Sequence, residues 1–310
     1  MHSSKSADQT SKSFRVSLSF FLLACRPKTL SAAVVPVLVG AAVTHFLGYR
    51  VDAGIAGCAL LSASLIQVGT NLFNDALDFE KGADSHTRLG PQRATHMGWF
   101  TPRQVKWAAS WCFLLATLAG VPLVLRGGWP IVLVGLASLL SGYLYTGGPR
   151  PLAYVGLGDI FVMIFFGLVA VMGTVYLLTG QWLTAALVAG LQVGALATVL
   201  IAINNFRDMI SDRASGKKTL PARFGPWFAR GEIAFMFLLA FGLLFYWPQP
   251  HPAYWLLFLP SVSLAIIVVL GAWFSEPSEK MNRLLHFAAL AQMTFGLAFA
   301  GLLTLAARAF

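Results

Sequence analysis

Residues 182–203 read WLTAALVAGLQVGALATVLIAI, and residues 204–212, which follow them, read NNFRDMISD. The first stretch holds no charged residue and exceeds the roughly 20 mostly apolar residues that a helix needs to cross the hydrocarbon core of a bilayer. The second stretch is polar from its first residue and carries one arginine and two aspartates. This part of the sequence therefore predicts a transmembrane helix that leads into an acidic segment.

Eight more runs of this kind occur along the 310 residues, of which 57% are hydrophobic and only 11% are charged. Soluble domains carry about 25% charged residues, so lipid must solvate much of this surface. Long uninterrupted runs indicate helices rather than a barrel, because in lipid the backbone polar groups must be paired within the protein. We predict an all-α, polytopic membrane bundle of nine transmembrane helices. The predicted spans are residues 29–48, 53–73, 104–125, 129–146, 152–178, 182–203, 230–247, 253–274 and 285–307.

The positions of the basic residues predict the orientation, since cytoplasmic loops retain lysine and arginine preferentially. With the N-terminus inside, 19 of the 22 basic residues lie on the cytoplasmic side, and only Arg50, Arg126 and Arg308 lie outside. The net charge of +10 then indicates topology and affinity for anionic headgroups and substrates. The sequence shows no basic groove with interleaved aromatic residues, so it does not predict nucleic-acid binding.

Two long polar loops, after the second and sixth predicted spans, resemble each other. Each begins Asn-x-x-x-Asp, at Asn74 and at Asn204, and each closes with Arg-x-Gly-Pro, at 88–91 and at 223–226. Parallel repeats place substrate sites at their mutual interface in many membrane proteins. We predict a polar cytoplasmic tail at residues 1–16 and a single transmembrane domain at residues 17–310, with two repeated four-helix units and a ninth helix.

Half of the twelve acidic residues fall in these two loops, four between positions 75 and 84 and two more at Asp208 and Asp212. Asn74 and Asp78 share a helical face, and so do Asn204, Asp208 and Asp212, where the two carboxylates repel each other unless a cation lies between them. Carboxylate and amide oxygens favour hard cations, and Mg²⁺ usually binds one or two carboxylates together with phosphate oxygens. Interleaved cations add direct phosphate contacts, which predicts a site for Mg²⁺ and a diphosphate. These cations are Arg88, Arg93, Arg213, Lys217 and Lys218.

Taken together, the motifs resemble those of the UbiA superfamily of intramembrane aromatic prenyltransferases, and within it the 1,4-dihydroxy-2-naphthoate polyprenyltransferases of menaquinone biosynthesis. The likeness covers roughly residues 25–307. It rests on Asn74-x-x-x-Asp78-x-x-x-x-x-Asp84 with Arg88-x-Gly90-Pro91, on Asn204 to Leu220, on Arg26-Pro27-Lys28-Thr29-Leu30 and on Tyr145 to Leu152.

The resemblance implies a bundle around a central cavity that opens sideways to lipid and accepts a polyprenyl diphosphate. It implies that Mg²⁺ assists departure of the diphosphate, after which the aromatic ring attacks the allylic cation and loses its carboxylate as carbon dioxide, giving demethylmenaquinol. By the same resemblance Asn74, Asp78, Asp84, Asp208 and Asp212 hold metal and diphosphate, with Asn204 and Arg213 beside them, while Arg88 and Lys217 contact phosphate oxygens.

Four further residues have two explanations each. Tyr145 either lines the cavity and shields the carbocation or belongs to an interfacial tyrosine belt. Arg26, Lys28 and Arg150 either hold the carboxylate of the acceptor or reflect only the positive-inside topology.

Two other functions remain open from the sequence. The acceptor can be another aromatic compound, such as 4-hydroxybenzoate, homogentisate or a chlorophyllide, although the spacing of the first motif favours the naphthoate. A secondary transporter is the third alternative. It predicts acidic residues or broken helices near the bilayer midplane, whereas the acids here cluster at cytoplasmic helix ends.

Overall fold

The computed structural model describes residues 24–26, 29–82, 89–90, 93–248 and 251–308, and every regular element in these ranges is helical. The all-α prediction is confirmed. The helices are α1 (Ser31–Phe46), α2 (Ala53–Glu80), α3 (Pro102–Gly127), α4 (Trp129–Leu144), α5 (Leu152–Val155), α6 (Gly158–Thr179), α7 (Thr184–Arg207), α8 (Met209–Ala214), α9 (Leu220–Phe224), α10 (Pro226–Tyr246), α11 (Pro252–Trp273) and α12 (Met281–Ala307).

Seven of these helices are long and apolar enough to cross a membrane, namely α2, α3, α6, α7, α10, α11 and α12. The other two apolar helices, α1 and α4, have 16 residues each and so reach about 24 Å at 1.5 Å per residue. This is somewhat less than the roughly 30 Å of a hydrocarbon core. The chain is an integral membrane protein, and the count of nine spans stays a prediction.

Two helices continue beyond the ends that hydropathy predicted. The second predicted span stopped at residue 73, but α2 runs on to Glu80, and the sixth stopped at 203, but α7 runs on to Arg207. Hydropathy marks where the apolar residues end, whereas the backbone hydrogen bonds continue through the polar residues that follow. Both Asn-x-x-x-Asp motifs therefore begin on helices.

The span predicted as continuous over residues 152–178 is interrupted, which corrects the sequence-based assignment. The short helix α5 ends at Val155 and is followed by Gly156, whose φ of +84° lies in the left-handed region that favours glycine at a helix C-terminus. The longer helix α6 begins two residues later and contains a π-helical stretch at Met163–Val169. Such stretches often occur at functional sites.

The core forms around α7, which packs against α6, α10 and α12. The contact of α6 with α7 is close because both helices lack side chains there, and a Cβ on Gly167 would lie 2.4 Å from the Gly190 carbonyl oxygen. Small residues let transmembrane helices approach in this way. On the other side of the bundle α2 packs along α3, and a cavity remains between the two sets of helices.

Candidate active site

The cavity lies between α1, α2, α3, α4, α6 and α7 and has a volume of about 490 Å³, within the usual range for ligand sites. Most of its wall is apolar, formed by side chains such as Leu139, Phe165 and Leu200. The polar part of the wall carries both predicted motifs. Its acidic and amide residues include Asn74, Asp78, Asn204, Asn205, Asp208 and Asp212.

Asp78 connects the first motif to the second. The residue is 4% exposed, and its Oδ2 atom lies 2.8 Å from Arg93 Nη2 and 3.4 Å from Lys217 Nζ. Lys217 belongs to the second motif and is separated from Asp78 by 139 positions in the sequence. The two loops that repeat the same pattern are therefore in direct contact at one end of the bundle.

Tyr154, which the sequence analysis did not select, contacts both motifs. Its hydroxyl donates a hydrogen bond of 2.8 Å to Asp78 Oδ1, and its backbone carbonyl accepts one of 2.9 Å from the Lys218 amide. The ammonium groups of Lys81 and Lys217 lie 4.9 Å and 4.7 Å from the centre of its ring. An aromatic face attracts cations at these distances. The tyrosine follows the Tyr145 to Leu152 motif by two residues, and this proximity is the only sequence signal for it.

Asp75 differs from Asp78 although the two are only three residues apart. Its carboxylate accepts hydrogen bonds from the Ala94 amide at 2.8 Å, from the Thr95 amide at 3.3 Å and from the Thr95 hydroxyl. It is 2% exposed and does not line the cavity. Asp75 thus holds the turn that follows Arg93, whose Nη1 donates to the backbone carbonyl of Asn74 at 3.2 Å.

The second acidic cluster begins where α7 ends. Asp208 separates α7 from α8, and both of its carboxylate oxygens accept from the buried Arg207 guanidinium, at 2.8 Å and 2.7 Å. Arg207 Nη1 also donates to Asn282 Oδ1 at 2.7 Å, and Asn282 Nδ2 donates to the Leu89 carbonyl at 2.8 Å. The start of α12 therefore connects the second cluster to the loop that follows the first.

Asp212 lies on α8, outside the membrane-spanning helices, and is buried at the wall of the cavity. Burial raises the pKa of its carboxyl group to about 6. The Lys217 ammonium and the hydrogen bond of 3.2 Å from the Thr219 hydroxyl lower this pKa, and the charge of Asp208 raises it.

The remaining predicted residues divide into three groups. Arg26 and Tyr145 line the cavity. Arg150 and Arg213 are exposed and do not line it, and Arg213 Nε donates to the Ala222 carbonyl at 2.6 Å. Lys28, Asp84 and Arg88 lie outside the residues that the structure describes.

The donor set of the cavity fits a hard divalent cation bound together with a diphosphate. Within the described ranges, no three His, Cys, Asp or Glu side chains converge closely enough to hold a metal by themselves. Carboxylate and amide oxygens from both motifs nevertheless line the same cavity. Mg²⁺ needs only one or two carboxylates when phosphate oxygens and waters complete its octahedron. The residues present therefore suit an ion that arrives with its phosphate ligand.

The UbiA prenyltransferase family model matches residues 33–293. A 1,4-dihydroxy-2-naphthoate octaprenyltransferase of Mycobacterium leprae is 32% identical over 94% of this chain and 98% of its own length. The protein of the same name from Escherichia coli is 38% identical over 66% of this chain and 68% of its own length.

Among solved structures, the apo structure of a UbiA homolog from Aeropyrum pernix superposes with a TM-score of 0.67 at 17% identity, over 88% of this chain and 97% of that one. A UbiA homolog from Archaeoglobus fulgidus bound to GPP and Mg²⁺ superposes with a TM-score of 0.59 at 15% identity, over 91% and 99% of the two chains. At these identities the likeness concerns the fold.

Proposed function

The chain belongs to the UbiA prenyltransferase family, and from this premise we propose that it transfers a polyprenyl group from an allylic diphosphate to 1,4-dihydroxy-2-naphthoate. The reaction releases diphosphate and carbon dioxide and yields demethylmenaquinol. Relatives from several bacteria that are named for this acceptor, at 32–38% identity, support this choice. A transporter is set aside because the chain is a prenyltransferase.

The observation that carries the proposal is the contact of the two acidic motifs across one cavity. The Oδ2 atom of Asp78, from the first motif, lies 3.4 Å from the Nζ atom of Lys217, from the second. Asp208 and Asp212 line the same cavity. A diphosphate bound there meets cations and carboxylates from both motifs at once. The set proposed to hold metal and diphosphate is Asn74, Asp78, Asp84, Asn204, Asp208 and Asp212.

Arginine and lysine side chains are proposed to hold the phosphate oxygens directly. Arg93 and Lys217 pair with the Asp78 carboxylate in the structure. When a metal cation takes their place at that carboxylate, both side chains become available to bind phosphate oxygens. Arg88 and Arg213 are proposed as further contacts on the loop side. Bound Mg²⁺ supplies neutralisation of the charge that develops on the leaving diphosphate. The A. fulgidus homolog bound to GPP and Mg²⁺ provides a precedent within the same fold.

The aromatic acceptor is proposed to react in the apolar part of the cavity, where the wall offers few hydrogen-bond partners to water. The bond between the prenyl carbon and the diphosphate oxygen breaks, and its electron pair leaves with the diphosphate. The ring carbon that bears the carboxylate then attacks the allylic carbon. Cleavage of the bond to the carboxylate returns an electron pair to the ring and releases carbon dioxide, so no base is needed to remove a ring proton. Tyr145 presents its ring to the developing cation, while Arg26 and Lys28 are proposed to attract the carboxylate of the acceptor. Arg150 is exposed and does not line the cavity, which favours the positive-inside topology as the explanation for this residue.

The prenyl tail is proposed to leave the cavity along α4. Leu136 lines the cavity and is nevertheless 60% exposed, so the wall at this helix is thin and open to the surroundings. In a membrane those surroundings are lipid tails. We propose that the protein lies in a bacterial cell membrane with this site on the cytoplasmic side, as the distribution of basic residues predicts.

The test is a transfer assay on the purified full-length protein in detergent micelles, with farnesyl diphosphate, Mg²⁺ and four acceptors. These are 1,4-dihydroxy-2-naphthoate, 4-hydroxybenzoate, homogentisate and a chlorophyllide. We expect prenylated product and labelled carbon dioxide from the naphthoate alone, and a loss of roughly 100-fold or more in Asp78→Asn and Asp208→Asn. Asp52→Asn, at the exposed opposite end of α2, is the matched control. Absence of product with every acceptor, or full activity in both variants, contradicts the proposal.

A further inference from the structure

A row of polar side chains extends from the acidic site along α2 into the apolar part of the cavity. Gln67, Asn71, Asn74 and Asp78 all line the cavity. At 1.5 Å per residue, Asn71 lies about 10 Å and Gln67 about 16 Å from Asp78 along the helix axis. Neither Gln67 nor Asn71 belongs to the set assigned above to metal, diphosphate or carboxylate.

The orientation of both amides follows from their contacts with Thr29. The Thr29 hydroxyl donates its hydrogen to the Arg26 carbonyl at 2.9 Å, so its oxygen can only accept from other groups. Gln67 Nε2 and Asn71 Nδ2 donate to that oxygen at 3.3 Å and 3.1 Å. Asn71 Nδ2 also lies 3.3 Å from the Cys25 carbonyl, which has no hydrogen to give. The nitrogen of each amide is thus occupied by the segment that precedes α1, which leaves the amide oxygen for another donor.

These two oxygens are acceptors without donors in the part of the chain that the structure describes. Gln67 is 8% exposed and Asn71 is 5% exposed, and the space that either oxygen can face is the cavity that both side chains line. Neither oxygen is among the fully buried atoms without a partner, so both remain reachable from the cavity, and polar residues within a membrane tend to be functional. The arrangement is therefore suited to a ligand that brings hydrogen-bond donors into the apolar part of the cavity.

We propose that Gln67 and Asn71 form the subsite that recognises the two ring hydroxyls of a 1,4-dihydroxyaromatic acceptor. The inference rests on the proposed function, since it assigns a role to residues of the same cavity. Four residues separate the two amides, which is about 6 Å along the helix. Both amide nitrogens also lie on the same Thr29 oxygen, so the two amides are neighbours and one aromatic ring can reach both. Each hydroxyl then donates to one amide oxygen, and a ring with a single hydroxyl satisfies only one of them.

The test measures binding, by titration calorimetry, of 1,4-dihydroxy-2-naphthoate and of 2-naphthoate, which lacks both hydroxyls. The full-length protein is used in detergent micelles without prenyl diphosphate or Mg²⁺, so recognition is measured separately from transfer. We expect the wild type to bind the dihydroxy compound roughly 10-fold or more tightly than 2-naphthoate, which corresponds to one or two hydrogen bonds. In Gln67→Met and in Asn71→Leu we expect the ratio of the two affinities, dihydroxy compound over 2-naphthoate, to fall by roughly 3- to 10-fold.

The matched control is Gln292→Met, because Gln292 is a buried amide of α12 that does not line the cavity. We expect this variant to keep the wild-type ratio. Because each ratio compares two compounds on the same protein, a loss of folded material cancels, and Gln67→Met alone suffices if Asn71→Leu does not fold. An unchanged ratio in the α2 variants overturns the inference, and so does a wild type that fails to prefer the dihydroxy compound. Loss of transfer activity with the ratio intact contradicts the proposed function instead.

Discussion

The hydroxyl of Tyr154 donates a hydrogen bond of 2.8 Å to Asp78 Oδ1, while its backbone carbonyl accepts one of 2.9 Å from the Lys218 amide. A single residue thereby fixes the first acidic motif relative to the second. The segment that carries Tyr154 is the short helix α5, which is capped by Gly156. The geometry of the proposed diphosphate site depends on this segment as well as on the two motifs.

Replacing Tyr154 tests this dependence. Tyr154→Phe removes the hydrogen bond to Asp78 and keeps the ring beneath Lys81 and Lys217. Hydrogen bonds to charged groups contribute about 1.5–3 kcal/mol, so we expect kcat/KM for prenyl diphosphate to fall roughly 10-fold or more. Tyr154→Leu also removes the ring, and a further loss follows from the missing cation–π contacts. Steady-state kinetics at fixed acceptor concentration measure both effects.

Tyr143→Phe is the matched control, because Tyr143 is 41% exposed on α4 and packs against Phe73 through its ring. We expect wild-type kinetics in this variant. Equal activity of Tyr154→Phe and the wild type shows that the hydroxyl has no part in positioning Asp78.

Much of this site can be predicted from the sequence, because membrane helices and acidic motifs each have a recognisable local sequence pattern. Long apolar runs predict the spans. Repetition and spacing predict five site residues, and all five line the cavity, namely Asn74, Asp78, Asn204, Asp208 and Asp212. These features are local or nearly so. Hydrogen bonding within a helix and the need for apolar side chains in lipid determine them without reference to distant residues.

Contacts between distant residues account for what the sequence did not reveal. Tyr154 is 76 positions from Asp78, and a tyrosine at the start of an apolar run is typical of the membrane interface. The glycine that interrupts the predicted span of residues 152–178 is one of 29 in the chain, so composition alone does not distinguish it. Asp75 and Asp78 are likewise equivalent in charge, and only the packing of the turn at residues 94–98 separates their roles.

Variants at Asp75 and at Asp78 are predicted to differ in how far ligand raises the melting temperature of the protein. Asp75→Ala leaves two buried backbone amides without an acceptor, at about 1–3 kcal/mol each, so the melting temperature of the free protein falls. Prenyl diphosphate with Mg²⁺ still raises that temperature, because Asp78 remains to bind it. In Asp78→Asn the ligand-induced rise is lost. Thermal unfolding followed by tryptophan fluorescence, with ligand and with EDTA, measures the two increments, and equal increments in the two variants refute the distinction.

The pH dependence of the reaction is predicted to follow Asp212. Burial raises the pKa of this carboxyl group to about 6, so below that pH the group is protonated and no longer attracts a cation. We expect kcat/KM for prenyl diphosphate to fall as the pH drops through about 6. The Thr219 hydroxyl stabilises the ionised form through its hydrogen bond to Asp212 Oδ2, so Thr219→Val raises the pKa further. The acid limb then moves to higher pH by roughly half a unit to one unit.

Ser215→Ala is the control for this shift, since the Ser215 hydroxyl donates to the backbone carbonyl of Asp212 at 3.2 Å and not to its carboxylate. The diphosphate itself titrates near pH 6, but identically for all variants, so only the difference between profiles is interpreted. An acid limb that coincides in Thr219→Val and Ser215→Ala shows that another group controls it.

Gly156 is predicted to be essential for the approach of α5 to the second motif. Its φ of +84° is one that other residues adopt at a cost of about 1–2 kcal/mol, and a Cβ there would lie only 2.4 Å from the Lys218 carbonyl oxygen. Gly180 has a similar φ of +75°, but a Cβ at that position meets no atom within 4 Å. Gly156→Ala and Gly180→Ala therefore share the backbone strain, and only the first displaces the loop that holds Lys217. We expect both variants to melt at lower temperature than the wild type, and only Gly156→Ala to lose prenyl diphosphate turnover, by roughly 10-fold. A similar loss of turnover in Gly180→Ala would mean that backbone strain, and not the position of Lys217, limits the reaction.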